Sequence, residues 1–226
     1  MEQIMNDHHF TFNAAALVAR ADGTLWWPDE GLLCVSDLHL GKSERIARRG
    51  GNLLPPYETQ DTLWRLKAAI AAVQPERVIC LGDSFDDITA AQSVPEEARR
   101  SLMHLQAGRE WIWIEGNHDP GPVDIGGTHR VEVTVGPLTF RHITDGKTIG
   151  EVSGHYHPKA SVRGAGFARA CFLMDRRKLI LPAFGAYTGG LSVGHTALRS
   201  LFAADGLAIL TGKRALPVPL SACLRR

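Results

Sequence analysis

The apolar positions of this chain fall into short runs, and each run ends in a polar residue able to bind a metal. Leu32 to Val35 leads into Asp37 and His39, Val78 to Leu81 into Gly82-Asp83, and Trp111 to Ile114 into Gly116-Asn117-His118-Asp119. Val133, Val135, Leu138 and Phe140 lead to His142, and Gly154-His155-Tyr156-His157 closes the series. Apolar runs this short fit buried strands. In open α/β sheets, ligands gather outside the carboxyl ends of strands, so these clusters are expected to converge on one site.

Between the runs the period changes. Leu63, Leu66, Ile70 and Val73 recur at helical spacing and predict a surface helix ending near Pro75, entered from a loop marked by Gly50, Gly51, Pro55 and Pro56. Ser93 and Glu96, with Pro95 between them, match a capping box for a second helix running to about Ala107, where Gly108 stops it. Strand, helix, strand order predicts parallel strands joined by crossovers. Upstream, Phe10 to Arg20, the turn residues Ala21-Asp22-Gly23 and Thr24 to Trp27 predict a hairpin. From Pro120 to Thr128 a Gly- and Pro-rich loop is expected beside Asn117 and His118. Beyond it, Val131, Val133 and Val135 alternate with Glu132 and Thr134, then Gly136-Pro137 turns the chain into Leu138 to His142. Ala170 to Met174 and Lys178 to Leu181 flank the turn Asp175-Arg176-Arg177, and a last pair is expected at Leu207 to Leu210 and Leu216 to Leu220. The second half therefore reads as mainly β.

At 226 residues, the chain fits one domain spanning 1–226. Its 25 basic and 24 acidic residues leave a net charge of +1, which excludes a broad coating of nucleic acid or anionic membrane and makes any nucleic-acid contact local. Met1 to His9 lacks the basic and then apolar regions of a secretory signal, and no window is apolar enough to span a membrane. A soluble, cytoplasmic protein without a membrane partner is expected. Cys34, Cys80, Cys171 and Cys223 show no C-x-x-C spacing and read as buried strand residues in a reducing compartment. Lys42 to Arg49 holds Lys42, Arg45, Arg48 and Arg49. Two readings stand: a solvated helix face, or a phosphate grip beside the site.

Of the ten histidines, His39, His118, His142, His155 and His157 lie in the clusters, whereas His8, His9, His104, His129 and His195 lie outside and read as ordinary residues. Carboxylate and imidazole without thiolate suit Mn, Fe, Zn or Mg. So many donors exceed what one tetrahedral ion needs. Two divalent ions about 3.5–4 Å apart, sharing a bridging carboxylate, would use them and would suit phosphoester hydrolysis.

Asp-x-His, Gly-Asp-x-x-Asp, Gly-Asn-His-Asp, a lone His and Gly-His-x-His, in that order from Asp37 to His157, resemble the calcineurin-like metallophosphoesterase superfamily. The resemblance implies an α/β fold of two mixed β-sheets packed as a sandwich and flanked by helices. It implies that Asp37, His39 and His157 bind one metal, that Asp83 bridges, and that Asn117, His142 and His155 bind the second. It also implies that His118 acts on the leaving group, oriented by Asp86. Two departures are visible: Asp87 follows Asp86 where the family usually has Arg, and the fourth motif reads Arg141-His142. Arg45, Arg141 and Lys42 are the candidate phosphate-binding replacements.

Gly-His-Tyr-His-Pro, Cys171-Phe172 and the stretch from Leu181 to Leu191 narrow the resemblance to bacterial ligase-associated DNA damage response endonucleases, the PdeM family. That similarity implies a manganese-dependent phosphodiesterase, a DNA endonuclease working beside a ligase and a helicase. The Gly-rich segment has two readings: a structural loop needing positive φ, or a substrate wall in which Tyr187 stacks on a base of a single strand. Two other functions remain in view, a small-molecule phosphodiesterase acting on cyclic nucleotides or a phosphatase, and a non-catalytic scaffold. Intact Asp37, His39, Asp83, Asn117, His142, His155 and His157 argue against the scaffold.

Overall fold

The structure is a computed structural model that describes residues 6–50, 57–92, 94–121, 124–162, 167–203 and 205–223. Two mixed sheets pack face to face, and the chain fills the first before starting the second. β1 (His8–Phe12), β2 (Ala15–Ala19), β3 (Leu25–Trp27) and β4 (Leu32–Val35) run antiparallel in order. After α1 (Lys42–Arg48) and α2 (Glu58–Val73), β5 (Arg77–Leu81) joins β4 in parallel. α3 (Ile88–Gln92) and α4 (Glu96–Gln106) lead to β6 (Glu110–Ile114) and β7 (Thr128–Arg130), both parallel to β5.

The second sheet begins at once with the hairpin β8 (Glu132–Val135) and β9 (Leu138–Arg141). β10 (Glu151–Ser153) lies parallel to β9 and to β13 (Lys178–Ile180). The short β11 (Lys159–Ala160) pairs with β12 (Arg169–Met174), which pairs with β13 and with β14 (Leu207–Leu210), and β15 (Leu216–Pro219) forms the far edge.

The period-two alternation of strands explains the layers. Leu32 and Cys34 of β4, Ile79 and Leu81 of β5, and Ile112 and Ile114 of β6 face the second sheet, where they meet Phe140, Val152, Phe172, Leu179 and Ile209. Leu33, Val35, Val78, Cys80, Trp111 and Trp113 face outward under Leu63, Leu66, Ala69 and Ile70 of α2 and Leu102 and Leu105 of α4. Burial on both faces is why these strands read as unbroken apolar runs. Truncating a fully buried residue here, such as Leu66, removes about 2–5 kcal/mol. A third apolar cluster covers the outer face of the second sheet.

Three local expectations differ from the structure. Phe10 to Arg20 is two strands, because Asn13 and Ala14 take left-handed φ values of 45° and 67° and turn β1 into β2. α4 is entered from Pro95, whose ring supplies no side-chain acceptor, so no side chain caps the helix; Ser93 lies outside the described residues. Residues Thr128–Arg130 pair with β6 although they carry no apolar alternation. The four cysteines are buried and free, three of them on strands. No helix among the described residues is long and apolar enough to cross a membrane.

Candidate metal centre

The loops after β4, β5, β6, β9 and β10 meet at the seam between the two sheets. Asp37 and His39 leave β4, Asp83 leaves β5, Asn117 and His118 leave β6, His142 follows β9, and His155 and His157 follow β10. Two sets of donors form there, with the ligand atoms of each within 4.8 Å of one another: Asp37, His39 and His157, and Asp83, His142 and His155. Asp37, His39, Asp83, His155 and His157 all have positive φ, between 45° and 72°. Left-handed backbone at a non-glycine residue costs roughly 1–3 kcal/mol and persists where surrounding structure imposes it. Close approach fixes the loops as well. A Cβ on Gly116 would overlap the Asp83 main chain, and one on Gly185 would overlap the Leu38 carbonyl.

Hydrogen bonding sets which ring nitrogen faces inward. His39 Nδ1 lies 2.9 Å from Asp86 Oδ1, so the proton belongs on Nδ1 and the Nε2 lone pair points into the site. That atom lies 3.3 Å from His157 Nε2, which is 3.2 Å from Asp37 Oδ1. His142 Nδ1 donates to the Leu81 carbonyl at 2.8 Å, which leaves Nε2 facing Asn117 Oδ1 at 3.0 Å, His155 Nδ1 at 3.3 Å and Asp83 Oδ2 at 3.4 Å. Acceptors that face one another at these distances repel unless a cation or a proton lies between them. The donor chemistry therefore fits divalent cations at both sets, with Asn117 beside the second.

The ionisation pattern agrees. Burial pushes the His142 imidazole down, but the Asp83 and Asp37 carboxylates outweigh it and hold the ring above its ordinary value. His155 is lowered by burial and by His142. Burial raises Asp37 and Asp83, yet the neighbouring histidines more than offset it and keep both ionised.

The structure separates the roles of Asp86. Its carboxylate touches His39 and Arg45, whereas His118 Nδ1 meets the Asp86 main-chain carbonyl at 3.0 Å. The side-chain orientation of His118 expected from the resemblance is thus replaced by a main-chain contact, because the carboxylate is already occupied by His39 and Arg45. His118 Nε2 is left open toward the site, 4.0 Å from Asp83 Oδ2.

Arg141, expected as a phosphate contact, is instead held by Glu132 at 2.7 Å and Asp145 at 2.6 Å, with buried Glu151 at 4.0 Å. Strand alternation turns it away from His142, its neighbour in sequence. Tyr187 is half-exposed with φ of 57°. It rides on a loop tied to the β4 end by Phe184 N–H to Ser36 O (2.8 Å) and Gly185 N–H to Asp37 O (3.1 Å). Arg65 donates to the Phe184 carbonyl at 2.9 Å and the Thr62 hydroxyl accepts from Ala186 N–H at 2.9 Å, which fasten the same loop to α2.

Two contributors carried no assigned role in the sequence. Ser36 donates its hydroxyl to Asp37. Asp119 accepts from the main-chain N–H groups of Ser84 (2.8 Å), Phe85 (3.1 Å) and Gly116 (3.1 Å), locking the β5 and β6 loops together. Burial, with the Asp83 charge beside it, pushes Asp119 up to about 6 against those bonds. Its place at the end of Gly-Asn-His-Asp was the available signal.

The family model for calcineurin-like phosphoesterases matches residues 32–180, from β4 to the end of β13. Among solved structures, the Pseudomonas putida nuclease MPE is similar: it superposes with a TM-score of 0.74 at 27% sequence identity, over 94% of this chain and 100% of that one. No curated protein matches the chain.

Proposed function

Since the chain belongs to the calcineurin-like phosphoesterase family, we propose that it is a manganese-dependent phosphodiesterase that cleaves nucleic acid, as a DNA endonuclease. The observation that carries this reading is the inward convergence of imidazole lone pairs and carboxylates in two adjacent sets. The similarity to a nuclease over nearly the whole chain supports the choice of a polynucleotide substrate. Asp37, His39 and His157 would hold one cation, and Asp83, His142 and His155, with Asn117 beside them, would hold the other. When bound, the two cations supply Lewis acidity toward a phosphoryl oxygen and a nucleophile at neutral pH.

The remaining work falls to side chains of this chain. The Asp86 carbonyl fixes the His118 ring so that Nε2 faces the leaving oxygen, to which the protonated ring gives its proton as the P–O bond breaks. Asp86 and Arg45 hold His39 in its tautomer. Tyr187 offers an exposed ring at the rim for a base to stack on. The narrower placement in DNA damage response, beside a ligase and helicase, is supported by Gly154 to Pro158, Cys171-Phe172 and Leu181 to Leu191. The near-neutral charge favours one competing reading, a small-molecule phosphodiesterase.

The test is hydrolysis of bis(p-nitrophenyl) phosphate and of p-nitrophenyl phosphate by manganese-loaded wild type, Asp83→Asn and His118→Asn, with metal content measured in each. Wild type should prefer the diester. Asp83→Asn should lose metal and activity together, and His118→Asn should keep its metal and turn over about 10²–10⁴-fold more slowly. A wild type that holds two metals and cleaves only the monoester would rule out the nuclease.

A further inference from the structure

α1 and its C-cap residue Arg49 form a basic run in this near-neutral chain. Residues Lys42 to Arg49 carry four cations against one acid, Glu44, while the whole chain nets +1. The structure sorts the four. Arg48 forms a two-pronged pair with Asp87 at 3.0 and 3.1 Å and lies 3.8 Å from Glu44. Arg45 is engaged with Asp86. Lys42 and Arg49 form no ion pair with any of the described residues, and Arg49 is exposed.

Lys42, Arg45 and Arg49 share one face by their spacing of three and seven residues. That face is the one turned to the metal centre. Arg45 contacts the carboxylate that touches the ligand His39. From Lys42 to Arg49 the helix rises about 10 Å, a length that takes in more than one phosphate of an extended strand.

We propose that this face of α1 is the path along which a polynucleotide strand leaves the metal centre, with Lys42 and Arg49 binding phosphates beyond the one cleaved. The proposal rests on the phosphodiesterase reading above and names where the strand runs. It resolves the charge question physically: affinity for a polyanion needs a few phosphate contacts in one line rather than a basic surface. Arg45 holds the His39 side of the site, and Arg48 fastens α1 to the Asp87 loop.

The test measures binding and so does not depend on turnover. A fluorescein-labelled oligothymidylate of about a dozen nucleotides is titrated into manganese-loaded His118→Asn protein, alone and carrying Lys42→Gln with Arg49→Gln, across a salt series. The double substitution should weaken binding about tenfold at low salt and flatten the slope of log K against log salt by about 1.4, as loss of two single-strand phosphate contacts requires. Arg176→Gln, which removes an exposed cation from the β12–β13 turn, is the charge-loss control and should leave the slope in place. An unchanged slope in the double variant, or an equal loss in Arg176→Gln, would overturn the path. Failure of the phosphodiesterase reading appears elsewhere, as absent hydrolysis of the chromogenic diester.

Discussion

Asp86 shows how much of a metal centre is decided one atom at a time. Its carboxylate meets His39 and its carbonyl meets His118, so a single residue touches both a member of the first donor set and the ring proposed to act on the leaving group. Removing the carboxylate charge should therefore act on metal affinity. Asp86→Asn is expected to weaken manganese at the Asp37, His39 and His157 set by about 10–100-fold, because the partner that fixes the His39 tautomer is lost. Manganese titration followed by electron paramagnetic resonance checks this. Full affinity at that set with slow turnover at saturating metal would return the carboxylate to His118. The sequence order of Asp, His and Asn was enough to say which residues gather, because those of the first four clusters follow apolar segments and His155 and His157 stand out in Gly-His-x-His. It could not say which atom of Asp86 meets which ring, since a main-chain acceptor has no sequence signature. The partners of Arg141 were hidden for a related reason: proximity in sequence to His142 says nothing about the Glu132, Asp145 and Glu151 carboxylates around it.

Among the elements, legibility follows burial. β4, β5 and β6 are covered on both faces and show as apolar runs, and α2 shows as a helical period. β10 did not show, because Glu151 and Ser153 flank a single Val152; all three are buried, and Glu151 lies 4.0 Å from Arg141. The Asn13-Ala14 turn was hidden inside an apolar stretch. The β12–β13 hairpin was legible from Asp175-Arg176-Arg177, and its turn carries a measurable charge effect. Asp175 accepts from Arg177 N–H at 2.8 Å and Lys178 N–H at 3.0 Å, with the Lys178 ammonium at 3.2 Å. Burial raises its carboxyl, but these partners outweigh burial and hold it below the ordinary value near 3.9. A carboxyl with a lowered folded-state pKa contributes stability that is complete above its unfolded pKa and fades as pH falls through the folded one. Asp175→Asn is thus expected to cost about 1–2 kcal/mol at pH 7, with the difference from wild type shrinking below pH ~4. Urea midpoints of metal-free protein over that range measure it, and a pH-independent difference would mean that shape, rather than charge, holds the turn.

At the scale of the molecule, the candidate centre joins two halves. The first sheet supplies Asp37, His39, Asp83 and Asn117, and the second supplies His142, His155 and His157. Cations held there would cross-link the seam of the sandwich, so metal loading should stabilise the fold by about 2.7 kcal/mol per site at a hundredfold excess over Kd. The gain should depend on pH with a definite sign. Without metal, the proton on His142 relieves the crowded lone pairs, and the raised folded-state value means that this proton's stabilisation is present below about 6.5 and lost as pH rises through the folded value. A metal needs the neutral ring and takes the proton's place as pH rises. The difference in melting temperature between manganese-loaded and EDTA-treated protein should therefore be wider at pH 8 than at pH 6. Hydrogen exchange on removing metal should quicken in residues 36–40, 82–86 and 142–157, while β14, which pairs with β12 and β15, keeps its protection. Equal melting shifts at both pH values, or exchange that quickens evenly through both sheets, would mean that the metals sit on the fold without tying its halves together.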